Sequence, residues 1–528
     1  METWIYLLII LSVVSAIYLG VVLKRDMQMM QQNSYMNKRY FKWLKMSHDA
    51  SSVSRLVTVL AISIPLGFLY DWALVFSIVI LLLQTVIELR KKYKKPVVFT
   101  KRVWRLYLSC WVAVVAITAA AGAVNLQFIP FVLMALIILS WVVVVNVNYA
   151  LKPVETSINQ GFINDAKRRL EAMGDSMTVI GVTGSYGKTS TKHYLNRILS
   201  EKYNVLMTPG SFNTPMGVTR TVRELMQPYN DIFICEMGAK NIGDIKEICD
   251  IVHPTIGIVT AVGAQHLESF KSIENVQRTK FELVDALPSD KGFAVINNDF
   301  EYAANRKVSN VEHVRYGVSN TENADYHAED ITYSANGTTF TVVDGKGNRL
   351  EMQTKLVGEC NISNLLAAVI VALHLDVPAE KIRYAVSKIE QVEHRLNMKR
   401  TPGGVTIIDD AFNSNPDGSR MALNVLAMMN KDGGKRIVIT PGMIELGEKQ
   451  YDYNRAFGAH IADCADVAFI VGAYNRDAIL EGLTENNKDG RVKVIPVESF
   501  TEAQRLLPSE VRQGDTVLYE NDLPDTFK

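Results

Sequence analysis

Long apolar segments in the first 150 residues constrain this chain more than any other feature. Residues 4–23 form a charge-free apolar run, about the 20 residues that a helix needs to cross a bilayer. Further apolar runs occupy residues 56–87, 106–124 and 128–149. The first run is not preceded by a basic cluster, nor followed by the small-residue cleavage site of a signal peptide. A helical membrane domain is therefore predicted over residues 1–150.

Positive charge is concentrated in the same region. Residues 1–150 contain 15 Lys and Arg against 5 Asp and Glu, although the whole chain has a net charge of only +1. Basic loops stay in the cytoplasm, so residues 24–55 and 88–105 should lie on one side, with an even number of spans between them. We therefore expect a multi-pass protein of the cell membrane, with cytoplasmic catalytic domains and five helices, over 4–23, 56–70, 72–87, 106–124 and 128–149. The bilayer accounts for the basic charge, and no nucleic-acid partner is expected.

The rest of the chain has the pattern of two α/β domains. From residue 177, short β-branched runs alternate with helical stretches, which predicts a parallel sheet in a central domain over residues 151–400. Period-2 alternation over residues 328–356 predicts hairpins at the edge of that sheet. A second series of strands and helices over residues 401–528 predicts a smaller Rossmann-like domain. The five cysteines form no CxxC pair, which favours a reduced, intracellular catalytic part.

The most informative motif follows the first strand of the central domain. Gly184-Ser185-Tyr186-Gly187-Lys188-Thr189-Ser190 stands between a predicted strand and a predicted helix, the context of an ATP-binding phosphate loop. In such a loop the glycine and serine backbone N–H groups converge on phosphate oxygens, the lysine reaches the β- and γ-phosphates, and Thr189 can ligate Mg²⁺. The spacing differs from the standard Walker pattern, and a glycine-rich turn without a ligand is the alternative.

The loop resembles that of the Mur ligase family, whose members use ATP to join an amino acid or peptide to the carboxylate of a cell-wall precursor. Further segments match the family in order: Thr208-Pro209-Gly210-Ser211-Phe212-Asn213, Cys235-Glu236-Met237-Gly238-Ala239, His266-Leu267-Glu268-Ser269-Phe270 and Gln277-Arg278-Thr279-Lys280-Phe281-Glu282. The resemblance implies that Asn213 lies on the acceptor side and that Thr189, Glu236 and His266 bind metal. It also implies that Lys280 is carbamylated and holds a second Mg²⁺. Divalent metal suits this chemistry because acyl-phosphate formation brings two anions together.

The resemblance continues to residue 520. It implies that Asn364 lies on the adenine side, that Arg395 contacts phosphate, and that Asp410 binds the ribose. Within the family, the segments that carry Asn413, Asn415 and Glu445 most resemble the members that add D-alanyl-D-alanine, and we expect these three residues on the substrate side. The chain departs from those members in two places. A membrane region replaces the small domain that grips the UDP-sugar, and Leu518-Tyr519-Glu520-Asn521-Asp522-Leu523-Pro524-Asp525 replaces a Lys-Gly-Ser-like segment.

The resemblance implies an ATP-dependent ligase that works through an acyl phosphate. Its small-molecule partners would be an amino acid or D-alanyl-D-alanine and a cell-wall precursor carboxylate; the sequence identifies no protein partner. One alternative is a membrane-anchored paralogue that modifies a lipid-linked or polymeric carboxylate. Another is a membrane ATPase or regulator without ligase activity. Asp71 and Glu88 are the only acids between Arg55 and Lys152, so we expect no buried charge network among the spans, which disfavours the last alternative.

Overall fold

A computed structural model describes residues 2–67, 70–91, 93, 95–334, 337–412, 414–429 and 433–523. Among the residues singled out above, Asn413, Pro524 and Asp525 lie outside the described residues, as do positions 68 and 69 of one predicted helix. The chain divides into two compact units: Gln160–Asp522 form one, and the residues up to Asn159 form the core of the other.

The first unit is built from helices. They are α1 (Glu2–Gln32), α2 (Asn37–Met46), α3 (Val53–Gly67), α4 (Asp71–Arg90), α5 (Lys101–Val124), α6 (Phe128–Ile138) and α7 (Ser140–Met173). Among the described residues, four helices are long and apolar enough to cross a membrane, or five if α6 and α7, which meet at a 78° bend, count as one broken span. The apolar run over residues 128–149, expected as one helix, is thus interrupted at Leu139.

A network of buried charges lies inside this unit, contrary to the expectation from the sequence. Arg55 donates to Asp26 Oδ1 at 3.3 Å and to Asp49 Oδ2 at 3.1 Å. The same guanidinium donates to the carbonyl oxygen of Ile138 at 2.7 Å, at the end of α6. Backbone groups freed by a broken helix need such partners in an apolar environment. The network therefore stabilises the bend. Its acids, Asp26 and Asp49, precede the segment from Arg55 to Lys152 on which the expectation was based.

The second unit contains the two predicted sheets. The larger has nine strands in the order β2-β3-β1-β4-β5-β6-β7-β8-β9. These strands are β1 (Thr178–Thr183), β2 (Val205–Met207), β3 (Ile232–Glu236), β4 (Ile256–Val259), β5 (Phe293–Asn297), β6 (Glu312–Gly317), β7 (Tyr326–Ser334), β8 (Gly337–Asp344) and β9 (Arg349–Thr354). Strands β1 to β7 pair in parallel, and β8 and β9 complete an antiparallel edge. This confirms a parallel sheet with hairpins at its edge.

Helices cover this sheet. They are α8 (Lys188–Leu199), α9 (Pro215–Leu225), α10 (Asp244–Val252), α11 (Leu267–Phe270), α12 (Ile273–Asp285), α13 (Glu301–Ala304), α14 (Glu359–His374) and α15 (Ala379–Ser387). Helix α14 is apolar and almost entirely buried, and it packs with α8 in the core above the central strands. The phosphate-loop helix α8 is thereby held on a rigid support.

The smaller sheet has six strands in the order β10-β11-β15-β12-β13-β14. They are β10 (Asn397–Arg400), β11 (Thr406–Asp410), β12 (Arg436–Thr440), β13 (Val467–Val471), β14 (Lys493–Val497) and β15 (Thr516–Glu520), and the helices are α16 (Pro416–Met428), α17 (Gln450–Cys464), α18 (Arg476–Asn486) and α19 (Phe500–Glu510). Except for β10, neighbouring strands are parallel. Ligands of open parallel sheets bind beyond the carboxyl ends of the strands, which is where the predicted site residues of both sheets stand.

Candidate functional site

The phosphate loop connects β1 to α8 and is closely packed. Gly187 precedes α8 with φ of +82°, and a Cβ atom there would lie 2.4 Å from Asn364 Oδ1. Only glycine fits such a position without strain. The ammonium of Lys188 donates to the carbonyl oxygens of Gly184 at 2.6 Å and Ser185 at 3.3 Å. Lys188 thus folds back over the loop, where it would meet a phosphate group.

Asn364 lies directly behind this loop. It is a buried residue of α14, and its Oδ1 accepts a hydrogen bond from Thr191 Oγ1 at 3.2 Å. The structure therefore places the predicted adenine-side residue against Gly187 and the first turn of α8, where it supports the shape of the loop.

Glu236, at the end of β3, contacts two other predicted site residues. Its carboxylate is 1% exposed. Oε1 accepts hydrogen bonds from Thr189 Oγ1 at 3.2 Å and from Asn213 Nδ2 at 3.0 Å. Strand β3 is the neighbour of β1, so the strand end brings Glu236 to the phosphate loop and to the loop that follows β2. Three of the residues that the resemblance assigned to metal and acceptor, Thr189, Asn213 and Glu236, are therefore in direct contact.

Lys192 is a site residue that the sequence analysis missed. It is fully buried, and its ammonium lies 2.8 Å from Glu236 Oε2 and donates to the carbonyl oxygen of Gly210 at 2.7 Å. It therefore connects α8 to the glutamate and to the loop that carries Asn213. Its position three residues after Thr189, on the same face of a helix, was the signal that could have revealed it.

The charges around Glu236 shift several pKa values. Burial alone would raise the pKa of Glu236, but the charge of Lys192 and its hydrogen bond hold that pKa below its ordinary value. Burial lowers the pKa of Lys188 to about 8, with the charge of Arg395 adding to this effect and Glu236 opposing it. Two cationic side chains, Lys188 and Arg395, are thus close enough to influence each other. Such convergence of positive charge suits a polyphosphate.

Lys280 lies on α12 and is 1% exposed. Burial, and then the charge of Lys188, lower the pKa of its ammonium well below the ordinary value, while Asp244 and Glu282 oppose the shift. Within the described part of the chain, no carboxylate oxygen lies within the 4 Å of an ion pair with Lys280. Burial therefore disfavours the charged form of this amine, and the neutral form is the one that reacts with CO₂.

His266 and Glu445 meet across the two sheets. His266 has φ of +51° and stands just before α11. Its Nδ1 shares a hydrogen bond with Glu445 Oε2, and the backbone N–H of Glu268 donates to the carbonyl oxygen of Glu445 at 3.1 Å. Burial lowers the pKa of His266 although Glu445 opposes the shift. A residue expected to bind metal and a residue expected on the substrate side are thus brought into contact.

Arg395 and Asp410 are the residues expected to bind the nucleotide from the smaller domain. The guanidinium of Arg395 lies over the ring of Phe412 at 4.2 Å. Asp410 Oδ1 accepts a hydrogen bond from the backbone N–H of Leu396 at 3.2 Å, and burial raises the pKa of Asp410 to about 6 against the influence of Arg395. Asn415, expected on the substrate side, caps α16 by accepting from the N–H of Gly418 at 3.0 Å. Its side-chain oxygen therefore has a structural role here.

A second missed residue, Glu520, belongs to the segment that departs from the family. It ends β15 in register with Asp410 of β11 and is 1% exposed. Its carboxyl group accepts hydrogen bonds from Ser414 Oγ at 2.5 Å and Thr440 Oγ1 at 3.3 Å. Burial raises the pKa of Glu520 to about 8. Glu520 thus connects the loops after β11 and β12, and the departure in sequence was the signal that pointed to it.

A cavity of about 740 Å³ adjoins these groups. Thr189, Gly210, Arg395 and Phe412 are among its lining residues. Across the described residues, no three His, Cys, Asp or Glu side chains are grouped closely enough to form a complete metal site. The oxygens of Thr189 and Glu236 nevertheless fit Mg²⁺, which typically takes one or two protein oxygens and completes its shell with phosphates and water. The donor set therefore suits a metal that arrives with a nucleotide.

These features define a class of protein: a P-loop enzyme whose nucleotide site faces a second α/β domain. Comparison with known families agrees with this. Residues 182–372 match the Mur ligase middle domain, and residues 394–519 match the Mur ligase, glutamate ligase domain.

Individual relatives show the same similarity. The UDP-N-acetylmuramoyl-tripeptide–D-alanyl-D-alanine ligase of Mycobacterium bovis is 31% identical over 366 residues, which are 66% of this chain and 71% of that protein. The crystal structure of MurF from Acinetobacter baumannii has a TM-score of 0.61 and 25% identity, and covers 70% of this chain and 78% of its own. MurF ligase from Thermotoga maritima in complex with ADP, at 24% identity, has the same fold, with a TM-score of 0.61 over 69% of this chain and 80% of that one. The chain belongs to the Mur ligase family and is an ATP-dependent acid–amino-acid ligase.

Proposed function

We propose that this ligase joins D-alanyl-D-alanine, or an amino acid, to a carboxylate of a cell-wall precursor at the cytoplasmic face of the membrane. The arrangement around Glu236 supports this proposal most directly. Its carboxylate contacts the phosphate-loop residue Thr189 and the acceptor-loop residue Asn213 with the same oxygen. A nucleotide phosphate and an acceptor carboxylate would therefore meet within the reach of one side chain. The similarity to ligases named for D-alanyl-D-alanine supports the choice of amine.

The first step would transfer the γ-phosphate of ATP. An oxygen of the acceptor carboxylate attacks the γ-phosphorus, the bond between that phosphorus and the β–γ bridging oxygen breaks, and ADP leaves with the electron pair. Lys188, which now bonds the loop carbonyls, would exchange them for phosphate oxygens. Arg395 would bind the same phosphates from the smaller domain, because a guanidinium can engage two oxygens at once. Both cations stabilise the charge that develops in transfer.

Mg²⁺ would be held by Thr189 and Glu236. Bound there, it would screen the phosphate charges and polarise the γ-phosphate. A second Mg²⁺ would lie near Lys280 if CO₂ carbamylates this lysine, since a carbamate is an anionic oxygen ligand. Burial lowers the pKa of His266, which favours the neutral ring that a metal ligand requires. Lys188 would lie beside this carbamate and offset its charge.

The second step would form the amide. The amine nitrogen attacks the carbonyl carbon of the acyl phosphate, the carbon–oxygen bond to phosphate breaks, and the nitrogen loses a proton to solvent or to the leaving phosphate. We assign the amine to the smaller domain, where Asn413, Asn415 and Glu445 follow β11 and β12. Asp410 would bind the ribose. The ATP that supplies the phosphate would lie between the two sheets of this unit.

The apolar helices of the first unit bear on the identity of the acceptor. The family models begin at residue 182, and long apolar helices precede that point. Membrane anchoring would keep the enzyme close to precursors attached to lipid. A lipid-linked carboxylate is therefore the second candidate acceptor, beside the soluble UDP-linked peptide.

The test is to measure ADP release by the purified full-length chain with each substrate supplied separately and together. UDP-linked and lipid-linked acceptors form separate arms, each offered D-alanyl-D-alanine or single amino acids, with product masses as the second readout. We expect ADP release to require both an amine and an acceptor and to match product formation. Equal ADP release without them would indicate an ATPase and would contradict the ligase proposal.

The lysine proposal has its own test. Lys280→Ala should lose activity, because no carbamate can form, and added short carboxylates should restore part of it by occupying the vacated space. The matched control is Lys271→Ala, a lysine of the preceding loop. Wild-type protein labelled with ¹³CO₂ should show a carbamate signal in its ¹³C spectrum. Lys280→Ala should lack this signal. Unchanged activity in Lys280→Ala would mean that the lysine is only structural.

A further inference from the structure

One groove of the helical unit has no role in the proposed reaction. It runs between α1 and α5 and has a volume of about 560 Å³. Val13, Ile17 and Gly20 line it from α1, where they share one face at helical spacing, and Tyr107 and Trp111 line it from α5. Its lining is almost wholly apolar over this length, and Lys24 closes one end.

Gly20 makes the groove possible. A Cβ atom at this position would lie 3.2 Å from the Trp111 ring and 3.5 Å from the Tyr107 hydroxyl. Because Gly20 has no side chain, the two aromatic residues can approach α1, and the backbone of α1 forms the base of the groove. A larger residue at position 20 would fill the space that a hydrocarbon chain could occupy.

Lys24 differs from the arginines around it. Arg25 is paired with Asp49 and Glu88, Arg55 with Asp26 and Asp49, and Arg102 and Arg105 with Glu155. Lys24 is exposed, and among the described residues it has no ion-pair partner. An ammonium at the end of an apolar groove is complementary to a lipid with an anionic headgroup, and a lysine near the bilayer surface attracts such lipids.

The length of the groove selects the kind of lipid. From Val13 to Lys24 the helix rises by about 16 Å. One leaflet of hydrocarbon is about 15 Å thick, so an acyl chain that follows the groove places its phosphate at Lys24. A polyprenyl chain is much longer than one leaflet and would extend beyond the groove.

We propose that this groove binds one anionic phospholipid, with an acyl chain along α1 over Gly20 and its phosphate paired with Lys24. The proposal rests on the proposed membrane placement of this unit. It does not depend on the substrates of the ligase, and the two can fail separately.

The experiment is native mass spectrometry of the full-length chain released from nanodiscs of phosphatidylcholine with a minority of phosphatidylglycerol. We expect one phosphatidylglycerol to stay bound to the wild-type chain. Lys24→Gln should weaken its retention about fivefold, the effect of losing roughly 1 kcal/mol from one lysine at the surface. Gly20→Leu should also displace the lipid, because the added side chain fills the groove. Lys45→Gln is the matched control, since Lys45 is an exposed lysine of α2 outside the groove.

Each outcome decides the proposal. Equal loss in Lys24→Gln and Lys45→Gln would indicate general attraction of a basic surface and would overturn it. Retention of phosphatidylcholine in place of phosphatidylglycerol, or of a co-purified polyprenyl phosphate, would contradict the proposal that the groove binds an anionic phospholipid. Unchanged retention of phosphatidylglycerol in both Gly20→Leu and Lys24→Gln would exclude the groove as the binding site. Circular dichroism of each variant checks the fold, and failure of the wild-type chain to enter nanodiscs would refute the membrane placement instead.

Discussion

Glu236 and Glu520 occupy equivalent positions in the two sheets of the catalytic unit. Each ends a buried parallel strand, each is 1% exposed, and each accepts a hydrogen bond from a threonine hydroxyl. Their pKa values nevertheless shift in opposite directions. The pKa of Glu236 is lowered, whereas that of Glu520 is raised to about 8.

One cation explains the difference. Lys192 lies 2.8 Å from Glu236, while Glu520 accepts hydrogen bonds from two hydroxyl groups and has Asp410 beside it. Burial disfavours a charge in both places, and only a compensating charge reverses its effect. The larger sheet therefore keeps an ionised carboxylate suited to a metal, and the smaller sheet keeps a protonated one that holds loops together. Four experiments with substituted proteins can break or sharpen this comparison.

Lys188→Ala should have the largest effect, and it should be on activity alone. It removes the ammonium expected on the β- and γ-phosphates, and we expect ADP release to fall about 1000-fold. Stability should change little, because Lys192 still compensates Glu236. Rates from a coupled ADP assay and thermal unfolding of the full chain in detergent measure the two effects. Retained turnover would remove the phosphate-loop assignment.

Lys192→Met should lower the free energy of unfolding by about 3–5 kcal/mol, because it leaves a buried carboxylate without its partner. Chemical denaturation of the full chain, with pulse proteolysis to follow unfolding of the catalytic unit, provides the measurement. The double variant Lys192→Met with Glu236→Gln should regain much of the loss, since no unpaired charge remains. Lys246→Met, which removes the exposed pair with Asp250, should change stability little, because water screens an exposed ion pair. Equal losses in the two single variants would mean that Lys192 is not a buried partner.

Glu520→Gln should change the pH dependence of stability. The pKa of Glu520 is about 8 in the folded chain against an ordinary value of 4.5, so the unfolded chain loses this proton first as the pH rises. Stability from this group is complete below the ordinary value, declines by at most about 1.4 kcal/mol per pH unit as the pH rises, and levels off above about 8. The variant should lack this decline, apart from the part that Asp410 contributes up to about pH 6. An unchanged slope would show that Glu520 is ionised in the fold.

Much of the fold follows from sequence pattern. The β-branched runs that precede Thr183 and Glu236 predict parallel strands at these positions. Strand β4 ends at Val259, and the hydroxyl of the next residue, Thr260, lies 3.1 Å from the carbonyl oxygen of Thr183 and 2.5 Å from that of Tyr186. The break at Leu139 has no cue in its own sequence, since the partner that stabilises it, Arg55, lies far away in the chain.

The site divides in the same way. Thr189 could be selected from the phosphate-loop motif, and Asn213 and Glu236 through the resemblance to the Mur ligase family; the strand ends of a parallel sheet bring their loops together. Lys192 and Glu520 have weaker sequence signals, because a lysine on a helix and a glutamate near the carboxyl terminus are usually solvated. Their importance comes from burial, which depends on tertiary packing.

The smallest effects should come from two matched substitutions. Thr440→Val removes the donor to Glu520 Oε2 and the acceptor of the Gly442 N–H at 3.0 Å, and it should lower stability by about 1–2 kcal/mol with little change in ADP release. Thr189→Val removes the donor to Glu236 Oε1; it should lower stability by about 1 kcal/mol or less but reduce ADP release, because a metal ligand is lost. Unfolding and ADP assays on both variants compare the sites directly. If Thr440→Val reduced turnover as strongly as Thr189→Val, the carboxylate of the smaller sheet would also take part in the reaction.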